Sequence, residues 1–276
     1  MAPVREFLLQ FTNLKNAGRL KKFFRAKVTF RFEKGNFTVK TIETKAELDQ
    51  VMRLRYEVFH REFRNKKFPY GLDSDEYDHA ADHLIIKDNS TDKIVGTYRL
   101  ICSKFTDKFY SSSEFTTQTF LALPGNKLEM SRACIHRDYR KGVVMTLLWR
   151  GLVEYIQQVG AKYLFGCGSV KTMDPREIRL VTDYLHHEGY MSPSFHAVPL
   201  PQYELDVSHD GSLISGYEYQ PDVAKKLVPA LLNSYLRAGA KVAPVPALDR
   251  DFHCIDFFTV LDLSQITKSY EQKFTS

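Results

Sequence analysis

The chain has 276 residues, enough for one full core or for a core with an added arm. Hydrophobic residues make up 43% and charged residues 26%, which excludes disordered and fibrous chains. The net charge of +6 is gathered at one end, because residues 1–31 hold Arg5, Lys15, Arg19, Lys21, Lys22, Arg25, Lys27 and Arg31 against Glu6 alone. The rest is close to neutral, so an acidic partner is expected for the arm: an anionic membrane surface, an acidic carrier protein or nucleic acid.

Residues 4–25 read as a basic helix, with Val4, Phe7, Leu8, Phe11 and Leu14 at helical spacing. Phe7-Leu8-Leu9 is too short for the core of a signal peptide, and Gln10 and Asn13 interrupt it. No apolar run approaches the roughly 20 residues of a spanning helix. Lys27 to Ile42 reads as two strands joined at Lys34-Gly35-Asn36. Lys45–Phe59 is a helix with Thr44 as its cap, and the turn-rich segment from Arg61 to Asp78 is long for a simple connection, which favours a functional loop.

Strands follow at His83–Lys87, Ile94–Cys102 and Lys127–Ile135. Gly142–Gly160 is a helix whose inner face is Val144, Leu148, Leu152, Tyr155 and Val159. Tyr163–Val170 is a strand, Arg176–Glu188 and Leu227–Ala238 are helices, the latter stopping at Gly239, and Ile255–Leu261 is a late strand. Strands and helices alternate in mixed order, which makes the fold α/β with a mixed sheet. Cys102, Cys134, Cys167 and Cys254 lack metal-ligand spacing and read as buried thiols in a reducing compartment, so the expected location is cytoplasmic and no metal is expected.

The chemistry centres on a strand, a turn and a helix. The strand holds Glu129, Ser131 and Arg132; the turn holds Arg137, Arg140, Lys141 and Gly142. A helix start leaves backbone N–H groups unpaired and favours negative charge, so three cations there suit a phosphate; the alternative is a solvated basic turn. The unit resembles the acyl-donor motif of GNAT acyltransferases, whose glycine-rich loop wraps the pyrophosphate of coenzyme A. Here only Gly142 remains, followed by Val143 and Val144. The resemblance so modified implies a smaller anion, the single phosphate of a carrier-protein phosphopantetheine.

Arg55 and Phe59, Asp75 and Asp78, Gly96–Leu100 with Arg99, and Glu129–Arg132 are similar in order and spacing to elements of acyl-homoserine-lactone synthases. The tryptophan those enzymes carry is absent; Arg64, Asn65, Phe68 and Tyr70 occupy its region. A third group is similar over more of the chain, from about residue 40 to the end: bacterial ornithine-lipid-type N-acyltransferases, also labelled hemolysins. The shared stretches are Leu54–Phe59, Asp82–Leu84, Glu129–Ala133 and Phe165–Val170. They continue from Val228 through Leu232, Tyr235–Arg237, Asp249, Asp251-Phe252 and Asp256.

These resemblances imply a GNAT-like domain over 36–276 behind a basic N-terminal arm over 1–35. They imply an N-acyltransferase that takes a (3-hydroxy)fatty acyl group from acyl carrier protein to the α-amine of an amino acid, ornithine before glycine. The phosphopantetheine belongs to the donor, and no cofactor is held permanently. The rivals are a synthase of an acylated amino-acid signal and a non-catalytic module that binds carrier protein or membrane.

Only the free amine attacks a thioester, so a base must take the ammonium proton. Glu129 is the candidate; the alternative is a structural carboxylate paired to Arg132 or Arg99. Side chains alternate along a flat strand, so Glu129 and Arg132 can serve one site only if a bulge lies between them. Asp75 and Asp78 either hold an ammonium or order their loop, and Arg55, Arg99 and Arg132 either bind the acceptor carboxylate or lock those acids. Cys134 and Cys167 have no neighbouring base in sequence and are not expected to be nucleophiles. His83 to Asp88 matches a His-x4-Asp acyltransferase dyad, but positions five apart on a strand point to opposite faces. The arm either lies peripherally on the inner membrane face or packs on its own domain; nucleic acid is excluded, because no reading motif accompanies the charge.

Overall fold

The computed structural model describes residues 15, 17, 18, 20, 24–67, 70–206 and 214–266. In chain order the strands are β1 (Arg31–Lys34), β2 (Phe37–Thr41), β3 (Asp82–Asp88), β4 (Lys93–Cys102), β5 (Asn126–Ile135), β6 (Ala161–Val170), β7 (Lys241–Val242), β8 (Ala247–Asp249) and β9 (Cys254–Asp262). The α-helices are α1 (Lys45–Arg55), α2 (Gln118–Leu121), α3 (Val144–Val159), α4 (Pro175–His187), α5 (Pro221–Leu227) and α6 (Ala230–Ala238). The chain divides into two compact units. The first runs to Lys108 and includes Met130–Gly160; the second comprises Phe109–Glu129 and the chain from Ala161.

In the first unit β1, β2, β3 and β4 form an antiparallel meander, with Phe37 opposite Asp88 and Leu84 opposite Tyr98. Gly35 turns the first hairpin at φ +58°, a conformation open to glycine. The Thr44 hydroxyl caps α1 and Glu47 reciprocates, forming a capping box. Leu48, Val51, Met52 and Leu54 of α1 are buried with Ile42, Ile85 and Ile94. α3 lies on the same sheet at very short range. A methyl group added at Gly151 would fall 2.6 Å from Leu84 Cδ1, and one at Gly96 of β4 would fall 2.9 Å from Val144 Cγ1.

In the second unit the first half of β5 pairs parallel with β6, from Lys127 opposite Tyr163 to Glu129 opposite Phe165. β6 runs antiparallel to β9 along its length, and β7 and β8 pair with β9. One face is covered by α4, α5 and α6 through Ile178, Val181, Leu185, Ala224, Leu232 and Leu236. On the other, Phe120 meets Phe165 and Phe258 at ring separations of 5.0 and 5.4 Å. Parallel and antiparallel pairs coexist, as the alternating pattern requires.

Three elements differ from expectation. The helix expected over Lys45–Phe59 ends at Arg55 and continues as a π-helix over Tyr56–Phe63. The helix expected over Leu227–Ala238 is broken at Pro229, which lacks an N–H and holds Val228 extended (ψ 118°), so α5 and α6 replace it. The helix expected from Gly142 starts at Val144. Most of the arm helix expected over 4–25 lies outside the described residues; of those described, Ala17 and Leu20 are buried in the first unit's core. Among the described residues no helix is long and apolar enough to cross a membrane.

Candidate active site

The first unit brings seven of the expected residues together around the Asp73–Asp78 loop. Arg55, fully buried on the last turn of α1, spans two carboxylates: Nε donates to Asp73 Oδ2 at 2.7 Å and Nη1 to Asp78 Oδ1 at 2.6 Å. Arg99, buried on β4, donates from Nη1 to Asp75 Oδ1 at 2.5 Å and from Nε to Ser131 Oγ at 2.9 Å. Arg132 reaches Asp75 Oδ2 at 3.2 Å and Asp73 Oδ2 at 3.5 Å, with its guanidinium 5.6 Å from the Phe59 ring.

Three guanidinium groups thus face three carboxylates, and the charges compensate within the network. Burial alone would raise the carboxyls of Asp73 and Asp78. The charges of Arg55 with Arg132, and of Arg55 with Arg99, outweigh it and hold both well below the usual range. Asp75 and Asp78 also close a reciprocal cap on the short helix Glu76–His79, with Asp75 N donating to Asp78 Oδ2 at 2.8 Å. Of the two roles open to these acids, ordering the loop is the one the geometry displays. Of the six charged side chains, only those of Arg132 and Asp75 keep appreciable exposure, at 14% and 23%.

β5 breaks its alternation where the chemistry requires. Arg132 sits in the left-handed region at φ +50°, and Met130, Ser131, Arg132 and Ala133 are all half-buried. A non-glycine residue held there marks local strain that the surroundings must maintain. The interruption expected between Glu129 and Arg132 thus falls at Arg132 itself, and parallel pairing with β6 ends at Glu129.

Glu129 belongs to the second unit and is fully buried. Its Oε2 accepts from Tyr110 N at 2.8 Å; its Oε1 accepts from Ser111 N at 2.6 Å and Ser111 Oγ at 2.5 Å. These three donors fix both oxygens in place. They also make it an anchor for the short helix Tyr110–Ser113, a structural role different from the arginine pairing considered above.

The basic turn is an exposed short helix, Arg137–Tyr139, whose cap is the His136 side chain. The next helix, α3, starts without any side-chain cap, so its first N–H groups have no such partner. Arg137, Lys141 and Gly142 are exposed there. Arg140 departs from the expected anion role: its Nη2 donates to Glu62 at 2.7 Å and its Nε to the Ile135 carbonyl at 3.0 Å. The π-helix that carries Glu62 past the expected helix end supplies that partner.

Sequence reasoning passed over Asp73, His60 and Ser111. His60 Nε2 lies 2.9 Å from Asp73 Oδ1. Asp73 fits no motif, and its only sequence signal is an acid beside a functional loop. Ser111 contributes a backbone N–H as well as its hydroxyl, and the backbone leaves no sequence trace. The rejected dyad is indeed separate. His83 faces Asp78 at 3.8 Å, while Asp88 accepts from Ser90, Asn36 and Tyr139. Burial, reinforced by Arg55 and Arg99 against Asp78, pushes the His83 imidazole down to about 3. All four cysteines are free, and burial pushes the Cys134 thiol up to about 12 and that of Cys167 well above its ordinary value, which disfavours a thiolate nucleophile.

Residues 54–150 match the family model described as an acetyltransferase (GNAT) domain. A protein of Rhizobium meliloti (strain 1021) named L-ornithine N(alpha)-acyltransferase is 31% identical, the match covering 85% of this chain and 83% of that protein. A protein of the same name from Agrobacterium fabrum is 29% identical, covering 86% and 84%. Among solved structures, a CoA-dependent acyl-homoserine lactone synthase, BjaI, aligns over 83% of this chain and 81% of its own with a TM-score of 0.43 and 15% identity, too loose a likeness to bear on function. At 31% identity over most of both sequences, the chain belongs to the L-ornithine N(alpha)-acyltransferase family and is an amide-forming acyltransferase of the GNAT type.

Proposed function

We propose that this enzyme moves a fatty acyl group, 3-hydroxylated in the favoured case, from an acyl-carrier-protein thioester to the α-amine of ornithine, yielding a lyso-aminolipid. The names of the relatives support the acceptor. The observation that carries the chemistry is Glu129, a carboxylate shut from solvent at the residue where β5 stops pairing with β6 and fixed in place by three donors. In the reaction the α-ammonium gives its proton to Glu129, directly or through a water. The free amine adds to the thioester carbonyl, and the tetrahedral intermediate expels the carrier thiolate, which takes up the proton that the nitrogen sheds as the amide forms. Atoms balance: thioester plus amine gives amide plus thiol.

The donor assignment rests on the turn. Arg137 and Lys141 are exposed beside an uncapped helix start, and the single Gly142 suits one phosphate rather than a wrapped pyrophosphate. The basic residues of 1–31 are assigned to an acidic partner, either the carrier protein or anionic lipid, the latter placing the enzyme at a membrane face from the cytoplasm. The test is direct. Purified enzyme is mixed with acyl carrier protein thioester, or with acyl-coenzyme A, and a panel of amino acids, and amides are sought by mass spectrometry. Acyl-ornithine from the carrier donor supports the reading. Thiol release without amide points to a hydrolase, and equal use of coenzyme A removes the carrier assignment.

A further inference from the structure

The first unit contains a cavity that the transfer chemistry leaves unused. It measures about 510 Å³, within the range of small-molecule sites, and all of its lining belongs to that unit. It lies where the basic arm meets the body. Phe24 and Lys27 come from the arm, Glu76 and Tyr77 from the short helix Glu76–His79, and Phe105 and Lys108 from the segment after β4. The end of the arm is pinned there through its main chain: Lys27 N and Val28 N donate to the two oxygens of Asp82 at 2.8 and 3.0 Å.

The lining has two chemical parts. Leu20 is buried, Phe24 and Tyr77 are half-buried, and Phe105 keeps 38% exposure, a large apolar side chain left in contact with solvent. Beside them stand two ammonium groups, of Lys27 and Lys108, against the single carboxylate of Glu76. The Lys27 ammonium has three N–H donors. Among the described residues it reaches only two main-chain carbonyls, of Ala81 at 3.3 Å and His79 at 3.5 Å, both long for a hydrogen bond. Burial pushes this ammonium below its ordinary value, with Asp82 opposing, so an anion held beside it would relieve the cost.

We propose that this cavity binds a fatty chain that ends in an anionic head, the chain against Leu20, Phe24, Tyr77 and Phe105 and the head at Lys27 and Lys108. Burial of methylenes drives the binding, and the two cations fix where the head rests. The acyl chain of the donor is not this ligand. It ends in a neutral thioester, which offers nothing to two ammonium groups, whereas a free carboxylate or a phosphate does. Two sources share that chemistry: the lyso-aminolipid that the enzyme makes, and one chain of an anionic phospholipid reached through the basic arm.

The cavity backs onto the arginine–aspartate network. The Tyr77 ring lies 5.8 Å from the Arg99 guanidinium, and the reciprocal cap of Asp75 and Asp78 closes the helix that supplies Glu76 and Tyr77. The Phe24 ring lies 6.4 Å from that of His83, which in turn faces Asp78 at 3.8 Å. Asp73 and Asp78 themselves are buried, and neither lines the cavity. A chain seated on Phe24 and Tyr77 therefore meets rings backed by a charge-compensated scaffold, a wall that needs little ordering on binding.

The experiment titrates the full-length enzyme by calorimetry, without acyl donor or amino acid, using laurate, dodecanol and decanoate. Laurate is expected to bind at one site. Dodecanol should bind about tenfold more weakly for want of the charge, and decanoate about tenfold more weakly for two fewer methylenes. Lys108→Glu and Phe105→Asp change exposed side chains, so both should melt with the wild type while laurate binding weakens several-fold. Two further ligands separate the sources. N-dodecanoylornithine that binds as tightly as laurate points to the enzyme's own product. Co-flotation with phosphatidylglycerol vesicles that falls in both variants points to a membrane lipid. The proposal is overturned if laurate shows no saturable binding, if dodecanol binds as well as laurate, if both variants keep the wild-type affinity, or if AMP displaces laurate. No amide forms in these titrations, so a failure here leaves the transfer reading intact, and a failure of transfer leaves this site standing.

Discussion

The Asp73–Asp78 network of the first unit and the acids of the second, Glu114 with Asp249 of β8 and Asp256 of β9, are both buried, yet they are built in opposite ways. In the first, every acid meets a guanidinium, and burial is overcome by opposite charge. In the second, acid meets acid, and burial and like charge act in the same direction on Glu114. The lesson is that a buried carboxyl gives up its proton readily when its neighbours cancel the charge and keeps it when they add to it.

The largest break in this contrast comes from the compensated side. Arg55→Ala leaves Asp73 and Asp78 short of their main partner and is expected to cost about 3–5 kcal/mol, read as a fall in the urea midpoint. Glu129→Gln follows. The amide must turn its N–H2 toward Tyr110 N or Ser111 N, a donor that the lost carboxylate oxygen had accepted from, so a loss of about 1–3 kcal/mol accompanies the fall in turnover. Turnover that survives at wild-type rates in the folded fraction removes Glu129 from the mechanism. Gly151→Ala drives a methyl group into Leu84 and Val39 and is expected to cost about 1–3 kcal/mol without touching either acid group.

The pH dependence sharpens the comparison. His83 falls from its ordinary 6.5 to about 3, so the unfolded chain takes up a proton first and stability is lost as pH drops from about 6.5 toward 3; Asp73 and Asp78, whose folded values are depressed, add to the loss below their ordinary 3.8. Glu114 is raised, so the unfolded chain releases its proton first and stability is lost as pH rises above 4.5. Melting temperatures across pH should therefore fall on both limbs, and Glu114→Gln should flatten only the alkaline one. The smallest effect on stability belongs to Arg137→Ala with Lys141→Ala. Melting should be unchanged, while KM for the carrier-linked donor rises several-fold and loses part of its salt dependence.

Much of this was readable beforehand. The strands and helices were placed by period, and Thr44 and Gly239 stand where a cap and a stop were expected because capping is local chemistry. Arg55, Asp75, Asp78, Arg99 and Arg132 could be grouped because motif order survives as sequence. The π-helix could not be read, since Tyr56–Phe63 keeps a helical apolar pattern and differs only in backbone pairing. Nor could the tie of Arg140 to Glu62, which needs that extra turn. Asp249 and Asp256 were visible as residues shared with a family, but their convergence with Cys254 depends on cross-strand register, which a single strand does not encode.

Two positions without side chains carry one more consequence. Because nothing projects from Gly96 or Gly151, α3 sits flush on its sheet at its first residue and again at its middle. The approach to that helix is also tied down, with His136 N donating to the Val95 carbonyl at 2.9 Å. The cationic turn is thus a shelf carried by a closely packed helix, and the anion proposed for it would meet donors that this packing already holds in place. An alanine at 96 would press on Val144, lift the front of the helix and carry the shelf with it; on the proposed reading this weakens the hold on the donor although Arg137, Lys141 and Gly142 are themselves unchanged.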